Sequence, residues 1–160
     1  MALNYTKKTL DNFLKPKNVG SIKSADGYAQ VGNMVCGDQL DFFLKVERGR
    51  IKDVKFLSFG CASNIATASI LTEKVKGLTV AQAKKYDWQK IVKELGGLPS
   101  QKIHCSVMAV EGLRKALDNY ETNQSKVVSS KIPVAPKKKV LAVRNRLTAK
   151  SKSADKKNNK

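Results

Sequence analysis

The chain has 160 residues, 41% of them hydrophobic, enough for one ordinary core. Its formal net charge of +18 is unevenly spread, because residues 126–160 hold 12 of the 31 Lys and Arg but only one of the 13 Asp and Glu. No apolar run approaches the roughly 18 residues of a membrane span, and Met1-Ala2-Leu3-Asn4-Tyr5 opens no apolar secretory segment, so a reducing, cytoplasmic setting with three free cysteines is expected.

Asn4 or Thr6 is placed to cap a short helix in which Leu10, Phe13 and Leu14 fall at helical spacing before Pro16 ends it. Gly20 to Ala25 reads as a flexible joint. From Gly27 the pattern turns extended: Tyr28–Met34, Leu40–Val46 and Ile51–Phe59, the last two joined across Glu47-Arg48-Gly49-Arg50. Val54 and Phe56 alternate with Asp53, Lys55 and Leu57, as in an antiparallel meander with one buried face.

After Cys61 the period becomes helical, with Ile65, Ala68, Leu71 and Val75 on one face until Gly77. Thr79-Val80-Ala81-Gln82 has the form of a capping box and opens a second short helix. Asp87 caps another, with Trp88, Ile91 and Leu95 inward and Gly96-Gly97 as its stop. Leu98-Pro99-Ser100 then leads into a long helix to about Tyr120, marked by Ile103, Val107, Val110, Leu113 and Leu117. Strands followed by helices predict an α+β domain over residues 1–125, a three-stranded antiparallel sheet with helices packed on one face. Residues 126–160 lose the core-forming pattern and read as a disordered, Lys-rich tail, with a short amphipathic turn around Val140 to Leu147.

The chemistry is carried by three cysteines in separate settings, Val35-Cys36-Gly37-Asp38, Phe59-Gly60-Cys61-Ala62-Ser63 and Lys102-Ile103-His104-Cys105-Ser106. The only histidine touches the last. No Cys-x-x-Cys pair exists, so a metal site here has to be assembled by the fold rather than by local spacing. Soft thiolates suit zinc and iron–sulfur clusters. Three of them leave one coordination position short of four, with Asp38 and His104 as candidates for it. Cys61 and Cys105 are expected at helix starts, where the dipole favours thiolate, and Lys102 adds positive charge beside Cys105. Gly37 and Gly60 are expected to let the backbone turn so that their neighbours reach the metal.

Taken together, Cys-Gly-Asp, then Phe-Gly-Cys at the mouth of a helix rich in small residues, then His-Cys-Ser opening a second helix, resemble the IscU/NifU-type iron–sulfur cluster assembly scaffolds from about Tyr28 to Tyr120. His104-Cys105-Ser106-Val107-Met108 is most similar to the NifU branch, in its first domain. The resemblance implies a scaffold and carrier, not an enzyme. Clusters, [2Fe–2S] or [4Fe–4S], would be held by Cys36, Cys61 and Cys105 and made labile by Asp38, with His104 nearby and zinc able to occupy the same site. Implied partners are a pyridoxal-phosphate cysteine desulfurase, recipient apo-iron–sulfur proteins, a ferredoxin and a heat-shock chaperone system. The chaperone handle of IscU members reads Leu-Pro-Pro-Val-Lys. Here Leu98, Pro99 and Lys102 match it and Ser100 and Gln101 depart. Cys105, on what is expected to be an exposed helix start, is the first choice to receive sulfur as persulfide, ahead of Cys61 and Cys36.

Two other classes compete. A basic nucleic-acid-binding protein would use Lys137, Lys138, Lys139, Arg144, Arg146 and Lys150 to neutralise phosphates, with a structural zinc in the folded part. The tail has no aromatic residue for base stacking, which favours weak, sequence-independent binding. A zinc hydrolase would need a general base beside an open metal position, and only Asp38 qualifies.

Overall fold

In a computed structural model the backbone is described for residues 4–129 and side chains through Ser125. The basic tail and the turn around Val140 to Leu147 lie, past Ser129, outside the described residues.

Three strands, β1 (Gly27–Asn33), β2 (Asp38–Glu47) and β3 (Arg50–Phe59), form an antiparallel meander in the order β1-β2-β3. Arg48 and Gly49 turn the β2–β3 hairpin at φ 51° and 72°, the left-handed pair a two-residue hairpin needs to match strand twist. Ala29, Val31, Leu40, Phe42, Leu44, Val54 and Phe56 point to one buried face. A register shift between Lys45 and Val46 lets Ile51 and Val54, of opposite parity, both turn inward. The other face keeps a solvent-side aromatic pair, Tyr28 and Phe43, with ring centroids 5.1 Å apart.

The helices are α1 (Lys7–Leu14), α2 (Ala62–Val75), α3 (Val80–Lys84), α4 (Trp88–Glu94) and α5 (Ile103–Ser129), the last preceded by a 3₁₀ turn over Ser100–Lys102. Thr6, not Asn4, caps α1. Its hydroxyl accepts from the Thr9 N–H and also contacts the Leu95 carbonyl, tying the helix to the end of α4. Only Thr9 of α1 is buried, while Leu10 and Leu14 are exposed, contrary to the apolar spacing. The expected capping box at Thr79 and Gln82 and the Asp87 cap are both formed.

Helix α2 is enclosed on nearly all sides, unlike the one-faced helix its apolar residues suggest. Ser63, Asn64, Thr67, Ser69 and Thr72 are buried with Ala66, Ala68, Ile70, Leu71 and Val75, whereas Ile65 is only half-buried. Short side chains make this enclosure possible, and several polar ones are partnered locally, as where Thr67 and Thr72 hydroxyls donate to the Asn64 and Ser69 carbonyls. The segment before the sheet helps. Lys17 N–H donates to Ser69 Oγ, and Asn18 Nδ2 donates to Thr72 Oγ1. Gly20, expected in a flexible joint, donates its N–H to the Phe56 carbonyl at 2.9 Å, so residues 18–20 cover the edge of β3.

Helix α5 lies close over the sheet because Gly112 has no side chain: a Cβ there would sit 2.8 Å from Val31 and 2.9 Å from Phe42. Val110, Leu113 and Leu117 are buried as expected, and Ile103 and Val107 only partly. The helix runs nine residues past Tyr120. Gln124 donates to the Tyr120 hydroxyl, and Lys84 binds Asp118 and Glu121 of its exposed face. No proline interrupts it before Pro133. The pairing of Gln39 with Phe59 sets the start of β2 beside the end of β3, and so Asp38 beside Cys61. Among the described residues no helix is long and apolar enough to cross a membrane.

Candidate metal centre

Four of the five candidate ligands stand at the start of an element, and the fifth stands in a turn. Cys36 lies in the turn between β1 and β2, where Asn33 accepts the Val35 N–H on its side chain and the Gly37 N–H on its carbonyl. Gly37 there has φ 70°, the left-handed conformation that the sequence reading anticipated. Asp38 opens β2, Cys61 is the N-cap of α2, and His104 and Cys105 stand in the first turn of α5.

The fold brings these side chains together around Asp38. Cys61 and Cys105 place their sulfurs 3.8 Å apart, and Asp38 Oδ2 lies 3.6 Å from each. His104 Nε2 is 3.6 Å from the Cys105 sulfur and 4.0 Å from Asp38 Oδ2. Potential ligand atoms of Asp38, Cys61 and Cys105 all lie within 4.8 Å of one another, and so do those of Cys36, Asp38 and His104. Asp38 is the member common to both triads. Metal–thiolate bonds of about 2.3 Å in tetrahedral geometry put two sulfurs about 3.8 Å apart, so the Cys61–Cys105 pair already has the spacing of a shared ion.

Asp38 is 4% exposed, a carboxylate at the floor of the site. Its Oδ1 accepts the Cys61 N–H at 3.1 Å, which fixes it to the loop and leaves Oδ2 for the thiols. Gly60 is required by close approach rather than by turning, which corrects the expectation for it. A Cβ at Gly60 would lie 2.5 Å from Asp38 Oδ1 and 2.7 Å from Asn64 Nδ2.

The three thiols differ. Cys36 is exposed, Cys61 partly exposed and Cys105 buried. Cys61 is pulled down to about 6, chiefly by a hydrogen bond from the Cys105 thiol, with help from the Asn64 N–H and the charge of Lys102. Cys105 is pushed up by the same pairing and by burial, and stays protonated. Lys102 is raised in turn, mainly by the negative charge on Cys61. The expectation of an exposed, ionised Cys105 therefore does not hold. Cys105 follows the 3₁₀ turn ahead of α5 and is buried, and the Thr67 hydroxyl of α2 donates to its carbonyl at 3.5 Å.

Asn64 was not singled out by sequence reasoning. It is fully buried, donates to the Gln39 carbonyl and Ser58 Oγ, and its Oδ1 has no partner among the described residues. The available signal was a polar amide three residues after Cys61 in a helix otherwise poor in large polar groups.

A family described as the NifU-like N-terminal domain matches residues 4–127. The iron-sulfur cluster assembly scaffold protein IscU 1 of Archaeoglobus fulgidus is 46% identical over 123 residues, covering 77% of this chain and 80% of its own. The IscU scaffold protein of Aquifex aeolicus is 46% identical over 136 residues, covering 83% and 87%. Among solved structures, the N-terminal part of a nitrogen-fixing NifU-like protein from Brucella abortus superposes with a TM-score of 0.58 at 18% identity, covering 73% of this chain and 94% of that one. At that identity the likeness establishes the fold.

Proposed function

The chain belongs to the NifU-like N-terminal domain family, and on that premise we propose that it is a scaffold on which iron–sulfur clusters are assembled and then handed to apo-proteins. The observation that carries this reading is the convergence of two thiols, one imidazole and a third, exposed cysteine on the single buried carboxylate of Asp38. Thiolates supply the soft donors iron and sulfide need, and a carboxylate in place of a fourth thiolate holds the cargo less permanently. That asymmetry suits a protein that gives its cluster away.

In this reading Cys36, Cys61 and Cys105 hold the nascent [2Fe–2S] cluster, with Asp38 or His104 at the fourth position. The exposed Cys36 faces incoming and departing partners, whereas Cys105 and Asp38 form the inner wall. A cysteine desulfurase supplies the sulfur, and Cys61 takes the acceptor role first given to Cys105, because it is both reachable and ionised. Zinc fits the same donors, so protein purified without added iron is expected to carry it. The working compartment is the reducing cytoplasm.

The test is anaerobic reconstitution with ferrous iron, cysteine and a cysteine desulfurase, followed by absorption and Mössbauer spectra and by transfer to an apo-ferredoxin. A protein that binds iron but yields neither a sulfide-to-iron charge-transfer band nor an active ferredoxin is not a scaffold.

A further inference from the structure

Cys61 and Cys105 are both free, and their sulfurs face each other at 3.8 Å, on the starts of two different helices. A disulfide requires about 2.05 Å between the sulfurs, so this pair, already in van der Waals contact, has to close by about 1.8 Å. Cys61 opens toward solvent and Cys105 does not, so a reagent arriving from outside meets Cys61 first. Cys36 belongs to the other triad and is not grouped with these two sulfurs.

We propose that this pair is itself a two-electron reductant for sulfane sulfur, with Cys61 taking up the sulfur and Cys105 releasing it as hydrogen sulfide. In the first step the Cys61 thiolate attacks the outer sulfur of a donor persulfide. A sulfur–sulfur bond forms on Cys61, the donor's own bond breaks, and the donor leaves as a thiol. In the second step Cys105 attacks Cys61 Sγ, and the bond to the outer sulfur breaks with its electron pair going to that sulfur. The outer sulfur departs as hydrosulfide and takes up the Cys105 proton; in the resting site the Cys105 sulfur lies 3.8 Å from that of Cys61 and 3.6 Å from Asp38 Oδ2. One donor persulfide and two protein thiols give one donor thiol, one hydrogen sulfide and a Cys61–Cys105 disulfide. The sulfane sulfur is reduced to sulfide and the two cysteines are oxidised, so release of one sulfide needs no other reductant, and a second release waits on reduction of the disulfide.

The disulfide removes two of the three thiolates from the metal site. A dithiol or thioredoxin-class reductant must reopen the bond before the cysteines can hold metal again. A metal ion already on both sulfurs blocks the chemistry by occupying the attacking pair. The proposal deepens the scaffold reading, on which its purpose rests, but its chemistry runs without iron.

The test uses the full chain, reduced and stripped of metal under anaerobic conditions, then exposed to a slight excess of cysteine persulfide. Sulfide is measured against a protein-free control, and peptide mass mapping follows quenching with an alkylating agent. The expected result is about one sulfide per chain and a cross-linked Cys61–Cys105 peptide, both suppressed by preloading with Zn²⁺. The Cys105→Ser protein should retain an extra sulfur atom on Cys61 and release no sulfide above the control. A wild-type chain that keeps a stable persulfide with Cys105 still alkylatable overturns the proposal, as does Cys105→Ser releasing sulfide like wild type. Should that variant fail to fold, the wild-type cross-link decides alone. Sulfide release without cluster reconstitution would count against the scaffold reading only, and cluster reconstitution without the disulfide would count against this proposal only.

Discussion

Asp38 accepts the backbone N–H of Cys61 on one carboxylate oxygen at 3.1 Å and turns the other toward the sulfurs of Cys61 and Cys105. One buried side chain thus fixes the loop that carries a candidate ligand and presents a candidate ligand atom of its own. A single substitution removes both tasks. Asp38→Ala removes the acceptor, with an expected loss of about 1 kcal/mol for a net hydrogen bond, and it also removes the exchangeable oxygen donor. The cluster should still form on three thiolates with His104 at the fourth position, and should then decay more slowly in air and transfer more slowly to apo-ferredoxin. A mutant that builds a normal cluster and loses it faster than wild type would recast Asp38 as a stabiliser.

Glycine replacements separate site from core. At Gly60 a methyl group meets Asp38 Oδ1 at 2.5 Å, and at Gly112 it meets Val31 and Phe42 at 2.8 and 2.9 Å. Overpacking costs about 1–3 kcal/mol, so both Gly60→Ala and Gly112→Ala should lower the thermal midpoint. Only Gly60→Ala should also weaken the binding of Co²⁺, read from thiolate-to-metal absorption on folded protein. Equal cobalt affinity in the two variants would show that Gly60 does not serve the site.

The pH dependence of alkylation reports the thiol pair. With Cys61 drawn down to about 6, its alkylation in metal-free protein should rise through that pH and level off near neutrality, while buried, protonated Cys105 reacts far more slowly. Lys102 is one of the groups lowering Cys61, so Lys102→Gln removes stabilisation of the thiolate and should move the midpoint upward. Peptide mapping at each pH distinguishes Cys61 from the exposed Cys36. A midpoint unaffected by the Lys102 change would remove that lysine from the account.

The meander, the order of helices and the capping residues were legible because each depends on short-range pattern: the alternation around Val54 and Phe56, the Thr79–Gln82 box, the Asp87 cap. What the sequence did not disclose depends on three-dimensional enclosure. Nothing local says that Ser63, Asn64 and Thr67 would be buried with the apolar residues of α2, or that Leu10 and Leu14 would be left outside. The candidate ligand types were readable from residue chemistry, since thiol, imidazole and carboxylate stand out in a chain with one histidine and three cysteines. Their ranking was not. Cys105 is buried rather than exposed at its helix start, and which way a first-turn residue faces leaves no trace in spacing.

The three cysteines should separate by stability while agreeing in function. Cys36 is exposed in a turn, with only a long contact of 3.9 Å to the Asn33 carbonyl, so Cys36→Ser should leave the thermal midpoint within error. Cys105 is fully buried among Cys61, Asp38 and His104, and a shorter, more polar hydroxyl there loses packing and needs a new partner. Cys105→Ser should therefore cost about 1–3 kcal/mol, the range for a poorly satisfied buried polar group, with Cys61→Ser in between. All three variants should nevertheless fail to rebuild the cluster chromophore, because each leaves only two thiolates for an iron pair that needs four terminal ligands. The measurements are urea or thermal unfolding of the metal-free proteins and the visible spectrum after anaerobic reconstitution. If Cys36→Ser rebuilds a normal chromophore, the exposed cysteine is not a ligand and the site closes on Asp38, Cys61, His104 and Cys105 alone. If two of the three variants do so, a shared site of three cysteines is wrong.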